Sequence, residues 1–307
     1  MTRSGFYAWR HRPESTHAHL DRRLRVSVRA AFEASRRSYG SPRIHRELRD
    51  QDVRVSRKRV VRLMQAEGLQ ARPRKRFKAT TDSNHAQPLA PNVLARTFQA
   101  EAPNQRWVGD TTELLVGRHA KLYLAALLDL FSRLVVGWAL SAVNDRHLVL
   151  RALRMAIERR CPDAGLLHHS DRGSPYASED YQRVLDVNGI TCSMSRRGDC
   201  YDNAVMESFF STVKFELGER FESYGVAKMQ LFDYIEVFYN PHRRHSTLDY
   251  VSPLAFERRW LEVEGLHLAS RGGVRWHPLS QHQATLEGHR TPVLLTLDDQ
   301  RCPVRPS

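Results

Sequence analysis

The sequence predicts an α/β body with a mixed sheet, preceded by a small all-α helix-turn-helix domain. Three observations carry this. Between residues 104 and 217, short apolar runs rich in β-formers alternate with amphipathic helical patterns, which is the signature of an α/β body. Upstream, two short helical patterns are separated by a tight turn, the second opening Arg57-Lys58-Arg59. The charge is also lopsided. Residues 1–80 hold 22 Lys and Arg against seven Asp and Glu, whereas the other 227 residues hold 26 against 27. Essentially all of the net +14 therefore lies in the first quarter, as expected for a polyanion-binding head on a near-neutral body.

The bulk numbers bound the rest. A chain of 307 residues with 41% hydrophobic and 27% charged residues suits a globular protein of one large or two smaller domains. No apolar run approaches the ~18 residues of a membrane helix. The opening "MTRSGFYAWRHRPE" lacks the apolar core of a signal peptide, so a cytoplasmic protein is expected. Cys161, Cys192, Cys200 and Cys302 form no C-x-x-C pair and are read as reduced thiols.

In chain order, residues 1–35 form a basic arm with one helical stripe, Leu20, Leu24, Val28 and Ala31. Residues 36–80 form the helix-turn-helix. Ser41 is the expected N-cap of its first helix, with Pro42 at the first helical position. Ser56 caps the second, Val60, Val61 and Met64 face inward, and Gly68 closes it. The arm "ARPRKRFK" follows. Residues 81–100, small, polar and Pro-bearing, read as a linker.

The body spans 101–262. "QRWVGDTTELLVG" is a strand, and "KLYLAALLDLFSRLVVGWAL" is two strands around a turn at "DLFSR". "DRHLVLRALRMAIERR" is a helix capped by Asp145, with Leu148, Ala152, Met155 and Ala156 facing in. "GLLHHSDRGSPY" is a strand entering a polar loop, "SEDYQRVLDVNG" a helix between Ser178 and Gly189, and "ITCSMS" a strand. A longer helix follows "GDCYDNA". Residues 263–307 show no periodicity and are expected to be a disordered tail.

Asp110 falls on the first strand, Asp171 just past "LLHH", and Glu207 on the helix after "GDCYDNA". Each alone has a bland reading as a solvated or structural acid. Asp129, at a turn, and Asp199 and Asp202, at a turn and helix entry, keep that reading. If the strands are neighbours and the helix packs over their edge, the three acids converge. Close carboxylates repel, and a hard divalent cation relieves that repulsion. Two such ions clamp the attacking and leaving oxygens of a phosphoryl displacement.

Asp110, Asp171 and Glu207, the last two with 35 residues between them, resemble the DDE signature of integrases and transposases. The words "WVGDTTEL", "LLDLFSRLVVGW", "HHSDRGSPYAS", "SMSRRGDCYDNAVMESFFSTVKFEL" and "FYNPHRRHSTLDYVSP" resemble, in order, the second-reading-frame (OrfB) transposase of bacterial insertion sequences of family three. The resemblance covers about 38–260. It implies an RNase H-like core in which Asp110, Asp171 and Glu207 are catalytic and hold Mg²⁺ or Mn²⁺, two ions. It implies metal-dependent DNA strand cleavage and 3′-OH strand transfer on insertion-sequence ends and target DNA, in a nucleoid-associated bacterial protein. Lys214 matches a position that contacts the DNA end in related integrases. Arg57, Lys58, Arg59, Arg72, Arg74, Lys75 and Arg76 are the expected DNA contacts of the basic head. A homo-oligomer and an upstream-frame OrfA product or fusion are the expected protein partners. The rival readings are another RNase H-like nuclease, or a non-catalytic DNA-binding regulator or relic of the same element.

Overall fold

The computed structural model of the chain describes residues 2–11, 14–71, 90–94, 97–195 and 203–270. The chain divides into two compact units. One comprises 1–82, 114–121 and 204–253, the other 83–113, 122–203 and 254–307.

The second of these carries a mixed sheet ordered β3-β2-β1-β4-β5. Its strands are β1 (Arg106–Val116, whose last residues belong to the other unit), β2 (Ala120–Asp129), β3 (Val135–Ser141), β4 (Leu167–Ser170) and β5 (Thr191–Met194). β2 and β3 run antiparallel around the expected turn, while β1, β4 and β5 are parallel. Leu124 to Asp129 are buried without alternation, because this part of β2 is covered on both faces.

Helix α5 (Arg146–Arg160) packs on β3, and Asp145 accepts the Leu148 N–H at 3.0 Å as its cap. Leu148, Ala152 and Ala156 face in as expected, and Met155 is half-buried. The approach is close because residue 137 is glycine. A Cβ there would lie 2.2 Å from the Ala152 carbonyl oxygen. Helix α6 (Glu179–Val187) connects β4 to β5, with Ser178 at its N-cap and Gly189 at φ +64° after it.

Asp129 keeps its bland role. It is fully buried and accepts N–H bonds from Asn104 at 2.7 Å and Phe131 at 2.8 Å, while burial pushes its pKa up. Helix α9 (Pro253–Ser270) runs past residue 262. Its Glu257 accepts from Ser132 Oγ at 2.6 Å and Arg160 Nη1 at 2.9 Å, and its Phe256 and Trp260 pack on Phe131.

The other unit begins with α1 (Arg3–Arg10), then α2 (Thr16–Ala34), α3 (Ser41–Asp50) and α4 (Arg57–Ala66). The last three bury Val28, Phe32, Ile44, Leu48, Val60 and Leu63 among themselves. Ser56 accepts the Arg59 N–H at 3.3 Å, and Gly68 takes φ +64°, both as expected. Three expectations need correcting. Gly40, not Ser41, is the N-cap of α3, since Ser41 already has helical backbone. Leu63 replaces Val61 on the buried stripe. Leu20 is 40% exposed, because the buried position beside it is taken by Asp21.

The same unit contains α7 (Ala204–Glu216), β6 (Arg220–Phe221) and α8 (Tyr224–Phe232), which continues into a π-helical segment, Asp233–Tyr239. Leu115 and Val116 at the end of β1 pair in parallel with β6. Cys192 is a free thiol, as expected. Among the described residues no helix is long and apolar enough to cross a membrane.

Candidate active site

β1 and β4 lie side by side in parallel, with Trp107 opposite His168 and Val108 opposite His169. Two residues further in the same register, Asp110 comes level with Asp171, immediately beyond the end of β4. Both side chains are half-buried. Each is oriented by the chain next to it. An Asp110 oxygen accepts the Thr111 N–H at 2.7 Å, and an Asp171 oxygen accepts the Gly173 N–H at 2.9 Å. A Cβ at residue 173 would lie 3.0 Å from that Asp171 oxygen, so glycine leaves the carboxylate room.

Both carboxylates also act on one buried phenol. Tyr176 is 2% exposed, and its pKa is pushed well up, first by burial, then by Tyr181 and by the charges of Asp110 and Asp171. Its hydroxyl has no hydrogen-bond partner among the described residues. Two acids from different strands thus raise the pKa of one side chain, and the strand register brings them together.

The two histidines before Asp171 hold this edge. His168 Nε2 lies 2.7 Å from the Tyr181 hydroxyl, and burial lowers its pKa to about 3, so it is neutral. A Cβ at Gly109 would come within 2.9 Å of its ring, which is why β1 carries glycine beside Asp110. His169 bonds Ser193 Oγ through Nδ1 at 2.9 Å and Ser195 Oγ through Nε2 at 3.1 Å, tying β4 to β5 and its following residue. Ser193 Oγ also accepts the N–H groups of Val93 and Leu94. Sequence reasoning quoted "HHSD" without giving these histidines a task. Their placement directly before an acid at a strand end was the available signal.

Glu207 belongs to the other unit. It is half-buried on the first turn of α7, and Lys214 follows two turns later on the same side of the helix. Among the described residues no three His, Cys, Asp or Glu side chains form a metal-binding group. The structure therefore brings Asp110 and Asp171 together within one unit and sets Glu207 on a well-packed helix of the other.

The basic head divides similarly. Arg57 and Lys58 are exposed at the start of α4. Arg59 instead turns back to Asp21, donating from Nε at 2.7 Å, with Arg62 donating to the other oxygen at 2.6 Å. Arg72, Arg74, Lys75 and Arg76 lie outside the described residues, as do Asp199 and Asp202.

Comparison with known proteins adds the family. An integrase core domain model matches residues 100–200, a second integrase core domain model 188–253, and an HTH-like domain model 19–77. The uncharacterized 31 kDa protein of insertion element IS600 from Shigella sonnei is 40% identical over 265 residues, covering 86% of this chain and 97% of that one. The transposase InsF of insertion sequence IS3A from Escherichia coli is 39% identical over 263 residues, covering 84% and 91%. Among solved structures, the HTLV-2 integrase catalytic core domain in complex with magnesium matches 51% of this chain and 98% of its own, with a TM-score of 0.39 and 15% identity. Identity near 40% across nearly the whole length of both insertion-sequence proteins, with HTH-like and integrase-core segments in that order, settles the relationship: the chain belongs to the insertion-sequence transposases of the InsF type, polynucleotidyl transferases built on an integrase core.

Proposed function

We propose that this transposase performs metal-dependent DNA strand cleavage followed by transfer of the freed 3′-OH, with Asp110, Asp171 and Glu207 as its catalytic acids. The observation that carries the proposal is the level placement of Asp110 on β1 and Asp171 just beyond the end of the adjacent parallel β4, both acting on Tyr176. Two neighbouring oxygen-donor side chains of like charge fit a hard divalent cation, Mg²⁺ or Mn²⁺, rather than a soft metal. Bound there, two such ions supply charge neutralisation at the scissile phosphate.

The chain's own residues do the rest. Asp110 and Asp171 hold the metal side of the site at the sheet edge, and Glu207 completes it from α7. Lys214, two turns along α7, takes a phosphate of the DNA end. Arg57 and Lys58 bind duplex DNA from the exposed start of α4. Arg72, Arg74, Lys75 and Arg76 extend that contact. No side chain is asked to form a covalent bond to DNA. Water and then a 3′-OH are the nucleophiles. The working form is a homo-oligomer in the bacterial cytoplasm, on nucleoid DNA, joined by the upstream-frame product.

A regulator that binds DNA without cutting it is the second reading. It is favoured by Arg57 and Lys58, exposed at the start of α4, which serve DNA binding with or without strand chemistry. Strand cleavage of a labelled duplex in Mn²⁺ separates the two. The proposal expects cleavage by the wild type and its loss, with DNA binding kept, in Asp110→Asn and Asp171→Asn. Equal cleavage by all three proteins would refute it.

A further inference from the structure

The word "NPHRRHST" contains two consecutive arginines that the proposed chemistry does not use. Within the unit that holds the helix-turn-helix, they reach two different helices. Arg243 is 4% exposed and closes on Glu216, the last residue of α7, itself 1% exposed. Its Nε lies 3.0 Å from both carboxylate oxygens and its Nη2 2.7 Å from one. The Tyr234 hydroxyl donates to the same carboxylate at 2.7 Å.

Arg244 turns to α3. Its Nε donates to Glu47 at 2.7 Å, and its Nη1 lies 2.7 Å from Asp50 and 3.0 Å from the Tyr250 carbonyl oxygen. Its backbone N–H donates to the Tyr39 hydroxyl at 2.8 Å. A third tie lies beside these: Arg36 stacks over Phe238 at 4.9 Å and donates to Asp233.

An exposed ion pair would be worth little. This arrangement is different. Arg243 is buried with its partner, and Arg244 is only 12% exposed and donates to four acceptors at once, on Glu47, Asp50, Tyr250 and Tyr39. A buried ion pair is weak evidence for stability, since apolar residues of like volume serve as well. Its directional bonds do fix geometry, and arginine's planar fork suits that use. The same short segment thereby fastens α7 on one side and α3 on the other. Glu207 stands nine residues before Glu216 on α7, roughly 13 Å along a straight helix. The exposed Arg57 and Lys58 stand on α4, which packs against α3.

We propose that Arg243 and Arg244 are positioning residues that fix the helix-turn-helix relative to α7, so that DNA seated on α4 determines where Glu207 meets it. This rests on the reading of Glu207 as the third catalytic acid. Binding by α4 and placement of the acid are then one geometric event.

The test is a charge swap in the full chain: Arg244→Glu alone, then combined with Glu47→Arg and Asp50→Arg. Two readouts are taken on a labelled branched DNA duplex of arbitrary sequence with Mn²⁺. The first is joining. Arg244→Glu keeps DNA binding and loses joining roughly 10- to 100-fold, the scale of a misplaced reacting group, and the triple variant recovers it. The second is amide exchange across 204–217. Added DNA slows it in the wild type, does not in Arg244→Glu, and does again in the triple variant. Exchange decides the proposal even if the wild type joins no DNA, an outcome that would sink the catalytic reading alone. Should Arg244→Glu fail to fold, Arg244→Lys replaces it, with a smaller loss of both signals. Unchanged joining with unchanged exchange in a folded variant overturns the proposal, as does a folded triple variant that recovers neither, or wild-type α7 exchange indifferent to DNA.

Discussion

Arg59 of α4 donates to Asp21 of α2 at 2.7 Å, across 38 residues of sequence, with Arg62 on the second carboxylate oxygen. The arginine pair lowers the pKa of this acid, against the opposing effect of burial. Such a group contributes stability above its unfolded pKa, which is lost as pH falls through the lower folded value. Asp21→Asn and Arg59→Ala are therefore expected to lower the melting temperature at pH 7, and the deficit of Asp21→Asn should start to shrink as pH falls below the ordinary value of 3.8 and close only below the lower folded value, where the folded wild-type acid is itself protonated. Arg57→Ala, by contrast, should leave melting unchanged and weaken DNA binding, with a shallower salt dependence. Thermal melts and DNA titrations at two salt concentrations check both.

Gly137 admits α5 to β3 so closely that an added Cβ would meet the Ala152 carbonyl oxygen at 2.2 Å and Ala156 at 2.8 Å. Backbone cannot swing aside as a flexible side chain does. Gly137→Ala should cost about 1–3 kcal/mol or more, as overpacking does. Urea denaturation measures it, with Gly165→Ala as a contrast, since a Cβ there meets nothing within 4 Å and carries only the strain of its φ of +99°.

His168 has its pKa lowered by burial to about 3, from 6.5. The unfolded chain binds the proton more readily, so stability rises with pH across that window and is fully present only above about 6.5. Lowering the pH from 7.5 to 5 should therefore destabilise the wild type. His168→Gln, which keeps a polar side chain facing Tyr181, should show a flatter dependence. Urea midpoints of the two proteins at both pH values test this, and equal slopes would contradict it.

Much of this molecule was legible in its residues, for identifiable reasons. The continuous apolar stretch in β2 and β3 announced buried strands, and Asp145, Ser56 and Gly68 announced helix ends, because caps and periodicity are local. Asp110 on a strand, Asp171 just past one and Glu207 on a helix were each placed by the same local signals. The Arg59–Asp21, Arg243–Glu216 and Arg244–Glu47 pairs were not, since nothing periodic marks which cation meets which anion 27 to 197 residues away. Arg59 shows the consequence. By composition it belongs with Arg57 and Lys58, but in the fold it is engaged on Asp21. Gly137 likewise reads as a weak spot in a strand until α5 is seen resting on it.

The central claim is that Asp110, Asp171 and Glu207 form one metal-dependent site for DNA strand transfer. Its most direct test is joining on a labelled, pre-branched DNA substrate with Mn²⁺ or Mg²⁺, wild type against Glu207→Gln, with DNA binding and melting recorded for both. Such a substrate asks little of end recognition. The account predicts metal-dependent joining by the wild type and none by the folded, DNA-binding variant. Joining that survives Glu207→Gln undiminished, or that proceeds with the metal chelated, would contradict it.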